Sequence, residues 1–168
     1  MSRVLASTLV FSLVAFGAAA QERASEVVSS WRLMCGEPGV VASEAKGCRV
    51  VAGAELAKEP RRVVALSFSA GAKKGDLLGL LGMPLGSYLA AGAVLQIDRR
   101  RPYKILFEVC ESDGCWAGFP VPRDMRADLG KAKDLRLRVW TAPDRSALVR
   151  IPLAGLGEKL DRVAEGGR

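Results

Sequence analysis

The sequence contains no histidine among its 168 residues, and only 6% of them are aromatic. Without histidine there is no Ser-His-Asp or Cys-His nucleophile pair, no two-histidine metal face and no histidine proton shuttle. The 18 acidic residues are scattered singly, and no glycine-rich segment has the spacing of a dinucleotide or P-loop site. We therefore predict a protein that is not an enzyme, with no catalytic, cofactor-binding or metal-binding residues. The alternative, a serine-lysine or carboxylate enzyme, would need an acidic pair or a lysine buried beside a pocket.

Charge is almost absent from the N-terminal segment, where Arg3 precedes an uncharged run over residues 4–20. The run ends in three alanines, directly before a polar stretch that starts at Gln21. This pattern is typical of a secretory signal peptide with a small-residue cleavage site. A transmembrane anchor is the alternative, but the run is shorter than the roughly 20 apolar residues that a spanning helix needs. We expect removal of residues 1–20 and a single mature domain over residues 21–168, located in the periplasm, on the outer membrane or outside the cell.

A second uncharged run covers the nineteen residues of Leu77–Leu95. Four interior glycines and Pro84 interrupt this run, and both residue types weaken a helix. The sequence therefore predicts two buried strands, over residues 77–81 and 93–98, instead of a membrane span. We expect that the protein is not an integral membrane protein.

The four cysteines, Cys35, Cys48, Cys110 and Cys115, form an even set in a chain predicted to be exported, which indicates two disulfides. Of the three possible pairings we favour the local one, because Cys35 and Cys48 bracket one turn and Cys110 and Cys115 another. A four-residue loop would set Cys110 opposite Cys115 across a hairpin. Such bridges would stabilise the fold by about 3 and about 2 kcal/mol in the chain-entropy model. A redox couple is the alternative, but thiol-disulfide enzymes place two residues between their cysteines, at the start of a helix.

Most of the remaining chain is typical of short strands separated by turn residues. The clearest alternation places Leu135, Leu137 and Val139 on one face of a strand and Arg136 and Arg138 on the other. The predicted strands cover residues 27–34, 49–56, 61–69, 77–81, 93–98, 135–139 and 147–151, and the predicted short helices cover residues 123–133 and 156–163.

Four cations, Arg99, Arg100, Arg101 and Lys104, lie within six residues, where we expect a turn between strands. Removal of Arg3 with the signal peptide lowers the net charge from +7 to +6, which favours anionic partners. The cluster is consistent with an anion-binding surface, or with a solubilising turn that blocks pairing at a sheet edge. We expect an envelope protein, lipid or polysaccharide as the partner, and no nucleic acid.

A series of motifs in a fixed order resembles the invasion-associated locus B family over about residues 27–163. The motifs are Trp31-Arg32-Leu33-Met34-Cys35, Cys48, Pro84-Leu85-Gly86 with Leu89 and Gly92, Leu95-Gln96-Ile97-Asp98, Phe107–Cys110 with Gly114-Cys115, and the closing segment Val149–Leu156. The chain departs from the family pattern at Ala154 and Leu156 and in its basic triplet at residues 99–101. The resemblance implies an exported immunoglobulin-like β-sandwich of Gram-negative bacteria with two short-range disulfides, and it implies no known reaction.

The predicted fold class is all-β: an immunoglobulin-like antiparallel β-sandwich with one or two short helices, stapled by two local disulfides. An antibody-type domain, with Cys48 bridged to Cys110, is the second choice, but the three tryptophans all lie outside that interval. The predicted function is that of a non-enzymatic periplasmic or envelope-associated binding or accessory protein. The alternative is a surface factor that binds anionic lipid, polysaccharide or host components through the basic turn.

Overall fold

The computed structural model describes residues 24–25, 31–35, 47–56 and 59–166, and these residues form eleven strands and two helices. The strands are β1 (Ala24–Ser25), β2 (Arg32–Cys35), β3 (Cys48–Leu56), β4 (Glu59–Ala70), β5 (Leu77–Met83), β6 (Ala93–Ile97), β7 (Tyr103–Ile105), β8 (Val109–Glu111), β9 (Gly114–Val121), β10 (Asp134–Ala142) and β11 (Arg145–Pro152). The helices are α1 (Arg123–Lys131) and α2 (Leu156–Gly166).

The strands form two sheets, one of five strands in the order β1-β11-β10-β6-β7 and one of six in the order β2-β3-β4-β5-β9-β8. Every pairing is antiparallel except that of β1 with β11. Consecutive strands pair in β3–β4, β4–β5, β8–β9 and β10–β11, and short turns join the strands of the last two pairs. The pairings of β6 with β10 and of β5 with β9 instead bring together segments that are distant in sequence.

Each sheet buries one face in a shared hydrophobic core. On β10 the alternation is complete, because Leu135, Leu137 and Val139 are at most 1% exposed while the residues between them are half-buried on the other face. In the six-stranded sheet the ring of Phe68 packs against Trp31, with the centroids 5.7 Å apart, and edge-to-face against Phe119. The core therefore takes its large side chains from both sheets.

The two helices pack against one another and close one part of this core. Leu156, Leu160 and Val163 recur at helical spacing on α2 and are fully buried. The helices approach closely at two glycines, since a Cβ on Gly157 would lie 3.0 Å from the Cα of Gly130. A side chain on Gly157 would therefore require the helices to move apart by a few tenths of an ångström, whereas a Cβ on Gly130 would make an ordinary contact of 3.5 Å.

The predicted fold class is confirmed: the sheets are antiparallel apart from β1, the helices are short, and both disulfides are local. Cys35 is bonded to Cys48 and Cys110 to Cys115, so the antibody-type pairing of Cys48 with Cys110 is wrong. Cys110 lies directly opposite Cys115, as predicted. The loop between them is tighter than the predicted four residues, because Glu111 and Gly114 pair within the ladder and leave two residues in the turn.

The strand predictions agree with the structure in position and differ at the ends. The long uncharged run forms β5 and β6 as expected, but β6 stops at Ile97 because Asp98 adopts a positive φ of 46°. The helix predicted over residues 123–133 ends at Lys131, since Ala132 is extended. The short strands β1 and β7 were not predicted, because two and three residues carry no alternation pattern, and β8 and β9 were predicted only as a hairpin around Cys110 and Cys115, without bounds.

Two predictions fall on the N-terminal part of the chain. The proposed signal peptide, residues 1–20, and residues 27–30 of the first predicted strand lie outside the described residues. In the part of the chain that the structure describes, no helix has both the length and the apolar character needed to cross a bilayer.

Candidate anion-binding site

Of the predicted basic cluster, Arg99, Arg100 and Arg101 lie in the connection between β6 and β7, which Asp98 shapes, whereas Lys104 lies on β7 and not in the turn. The positive φ of Asp98 is a conformation that aspartate tolerates better than most residues. Its carboxylate accepts hydrogen bonds from the backbone N–H groups of Lys133 (3.4 Å) and Asp134 (3.1 Å), and its own N–H donates to the Asp134 carbonyl at 3.0 Å. These bonds tie the basic turn to the start of β10.

Within the turn, Arg100 is held by more contacts than its neighbours. Its backbone N–H donates to the carbonyl of Ile97, its carbonyl accepts a hydrogen bond from the Gln96 side chain, and its guanidinium lies 3.0 Å from the Asp128 carboxylate on α1. The Arg100 side chain is 63% exposed, so this ion pair contributes at most about 1 kcal/mol. Arg99 and Arg101 are exposed and have no hydrogen bond or ion pair from their side chains among the described residues.

The turn forms one wall of an open cleft of about 1130 Å³, whose other walls are the start of α1 and the start of β10. Both basic and acidic side chains line the cleft, and the basic ones outnumber the acidic ones. Its charged residues are Arg99, Arg100, Arg101, Lys104, Lys133 and Arg136 on the basic side and Asp98, Asp124, Asp128 and Asp134 on the acidic side. Two of the carboxylates, those of Asp98 and Asp128, are already engaged by the contacts described above.

The basic surface continues from the turn onto the outer face of the five-stranded sheet. Arg136 on β10 is directly opposite Arg150 on β11, and Arg138 follows two residues further along β10. Lys104 is opposite Val94, which is itself opposite Arg138, so the predicted cluster and these arginines share one face. Like charges placed directly opposite one another destabilise a sheet. We call the turn and these strand residues together the cationic face.

Arg136 has an additional feature that distinguishes it from an ordinary surface arginine. Its Nε atom is buried and has no hydrogen-bond partner among the described residues. A buried N–H group without a partner costs about 1–3 kcal/mol, and a guanidinium presents its donors in a fork that suits two oxygens of one phosphate or carboxylate. Arg136 lines the cleft, but because its Nε has almost no exposure, an anion would reach this N–H only after a shift of the side chain.

Sequence reasoning found the turn residues of this surface and missed the arginines on β10 and β11. The alternation of Arg136 and Arg138 with leucines indicated that they point away from the core. The alternation did not indicate that β11 places Arg150 beside Arg136. It also did not indicate that β6 and β7 place Lys104 close to Arg138, because both neighbours depend on strand order.

The described residues offer little to a catalytic interpretation. None of the charged side chains whose burial is described is buried, and these residues include no group of three His, Cys, Asp or Glu that could hold a metal ion. The geometry is that of an open, charged surface.

The fold and this surface define a class: disulfide-stapled proteins of two β-sheets with a cationic face. Within that class, the chain belongs to the invasion associated locus B (IalB) family, since the family model "Invasion associated locus B (IalB) protein" matches residues 31–164.

Similar proteins agree with this assignment. Two proteins named "Invasion protein B homolog", from Brucella abortus strain 2308 and from Brucella abortus biovar 1 strain 9-941, are each 34% identical over 92 residues, which is 53% of this chain and 52% of theirs. The chain thus spans about half the length of these curated relatives. The crystal structure of invasion associated protein B from Bartonella henselae matches with a TM-score of 0.66 and 24% identity, over 83% of this chain and 94% of that one. The latter likeness shows the shared fold.

Proposed function

We propose that this chain is an exported, non-enzymatic binding or accessory protein of the bacterial envelope, located in the periplasm or at the outer membrane. The observation that carries the proposal is the pairing of all four cysteines in two disulfides. Disulfides form and persist in oxidising compartments such as the periplasm. The signal-peptide pattern of residues 1–20 points to the same compartment. The names of the family and of its relatives denote no reaction.

Intact-mass measurement of the protein recovered from the periplasmic fraction tests this proposal. We expect loss of residues 1–20 and of the four hydrogens removed by forming two disulfides, because export exposes the chain both to signal peptidase and to oxidation. Recovery of the full-length, reduced chain from the cytoplasm or the inner membrane would contradict it.

A second candidate function is attachment to an anionic component of the envelope through the cationic face. The observation that favours it is the placement of Arg136 directly opposite Arg150 and in the same cleft as the basic turn. A protein gains nothing in stability from such a like-charge pair. An anionic ligand that binds both guanidinium groups would offset the repulsion.

Replacement of Arg99, Arg100 and Arg101 together by Ser tests this second function. We expect weaker retention on phosphatidylglycerol vesicles at low salt, measured by co-sedimentation, because three exposed charges next to Arg136 are removed. Raising the salt to physiological strength should weaken binding of the parent protein too, because exposed attraction is screened beyond roughly 8 Å. The melting temperature should stay nearly unchanged, since exposed turn charges contribute little to folding.

The matched control replaces Lys73 and Lys74, two exposed cations in the turn between β4 and β5, by Ser. It lowers the net charge without touching the cationic face, so it should retain most of the vesicle binding. Equal binding by the triple variant and the parent protein would leave the basic turn with the solubilising role alone.

A further inference from the structure

The outer face of the six-stranded sheet exposes large apolar side chains that have no partner in the core. On β5, Leu78 is 44% and Leu80 is 37% exposed. Near the two edges of the same sheet, Met34 on β2 is 48% and Val109 on β8 is 51% exposed. Several large apolar side chains exposed on one face of a sheet mark a site of association more often than a single exposed leucine does.

The middle of this face is also nearly flat. On β4 the residues opposite Leu78 and Leu80 are the small side chains of Ser69 and Ser67. On β9, Trp116 is paired with Gly82, and its indole lies over that glycine, where a Cβ would be only 2.4 Å from the ring. Sheets with small residues and flat-lying rings can pack face to face at a separation of about 10 Å.

The charges on this face are divided between its two edges. The edge formed by β2 and β3 carries Arg32 and Arg49, and both alternate with buried residues of the core face. At the opposite edge, the carboxylate of Glu108 lies 3.6 Å from where a Gly118 Cβ would be, and Asp113 accepts a hydrogen bond from the indole N–H of Trp116. The face is thus basic at one edge, uncharged in the middle, where leucines lie beside serines, and acidic at the other edge.

Arg32 at the basic edge and Glu108 at the acidic edge also lie at the same position along the strand direction. One row of paired residues crosses the sheet from Arg32 through its centre to Gly118, beside which Glu108 lies. The row is Arg32, Val51, Ser67, Leu80 and Gly118.

We infer that this face binds a second copy of the same chain in a two-fold symmetric dimer, with the axis parallel to the strands between β4 and β5. Rotation about such an axis leaves each residue at the same position along the strand direction and exchanges the two edges of the sheet. Arg32 of each copy therefore faces Glu108 of the other, and the leucines of β5 from both copies lie near the axis. An axis perpendicular to the strands would instead place Arg32 over Arg32. Opposite charges across an interface attract and like charges repel, so the charge distribution selects the first arrangement.

Sedimentation velocity of the oxidised, exported protein over a range of concentrations tests the dimer. We expect a species of twice the chain mass for the parent protein, and a monomer at the same concentrations for Leu80→Glu, because the substitution buries a carboxylate at the centre of the interface. The matched control is Leu85→Glu: Leu85 is 55% exposed but follows β5, outside the face, so this variant should remain dimeric. A monomeric parent protein, or equal behaviour of the two variants, would overturn the inference.

A charge exchange then tests the symmetry. Arg32→Glu and Glu108→Arg should each weaken dimerisation by about tenfold or more, because each creates two like-charge contacts per dimer. Combining the two substitutions should restore the affinity to near that of the parent protein. A double variant as weak as the single ones would show that Arg32 and Glu108 do not meet, and would overturn the proposed arrangement. The result is independent of export, which the intact-mass measurement tests, and of anion binding, which depends on residues of the five-stranded sheet.

Discussion

Trp31 joins the two sheets through one side chain. It precedes β2 in the six-stranded sheet, is 6% exposed and packs on Phe68, while its indole N–H donates a 2.8 Å hydrogen bond to the carbonyl of Pro152 on β11 of the other sheet. A buried indole N–H usually needs such a partner. No local pattern indicates this contact, because the two residues are 121 positions apart.

Replacing Trp31 by Phe should lower the free energy of unfolding by about 1–2 kcal/mol, since the variant keeps the ring contact with Phe68 but loses the hydrogen bond. Urea unfolding at a fixed protein concentration measures the change. The matched control is Trp140→Phe, because Trp140 is half-buried on the outer face of β10. That variant should lose less than about 0.5 kcal/mol. Equal losses in both variants would contradict a linking role for Trp31.

At the scale of elements, the two disulfides have equivalent positions in the six-stranded sheet. In its strand order, β2 and β8 are the edge strands, and each is bonded to its neighbour by one disulfide. These edge strands have only four and three residues and therefore few ladder hydrogen bonds. The disulfides hold short edges in place, and short edges resist pairing with other chains. The same edges carry Arg32 and Glu108 of the proposed dimer interface.

Removing the disulfides one at a time should produce unequal losses. The Cys35→Ser, Cys48→Ser variant should lose about 3 kcal/mol of unfolding free energy and the Cys110→Ser, Cys115→Ser variant about 2, because the first bridge closes the longer loop. The sequence separations are 13 and 5. Denaturant unfolding of both variants beside the parent protein measures the difference, and the reverse order would contradict the chain-entropy account of these bridges.

At the scale of the whole molecule, the two sheets present different outer surfaces on opposite sides of the core. The five-stranded sheet carries the cationic face, and the six-stranded sheet carries the apolar face with charged edges. In the proposed dimer the apolar faces meet, so the two cationic faces point away from each other. A flat anionic surface would then contact one cationic face at a time, whereas a flexible polyanion could reach both and gain avidity.

The sequence by itself determined the features that depend on near neighbours in the chain. The alternation around Leu137 decided which side of β10 faces the core, the glycines and Pro84 divided the uncharged run into strands, and the close spacing of the cysteines favoured local bridges. All three are short-range effects of backbone geometry and chain entropy.

Only the tertiary structure decided which strands lie side by side. Pairing of β10 with β11 set Arg136 opposite Arg150, and the row that crosses the six-stranded sheet set Arg32 at one edge and Glu108 at the other. Strand order follows from packing the apolar faces of distant segments into one core, and no local pattern contains that information. The position of each charge in its strand was therefore visible in the sequence, while the surface that the charges form together was not.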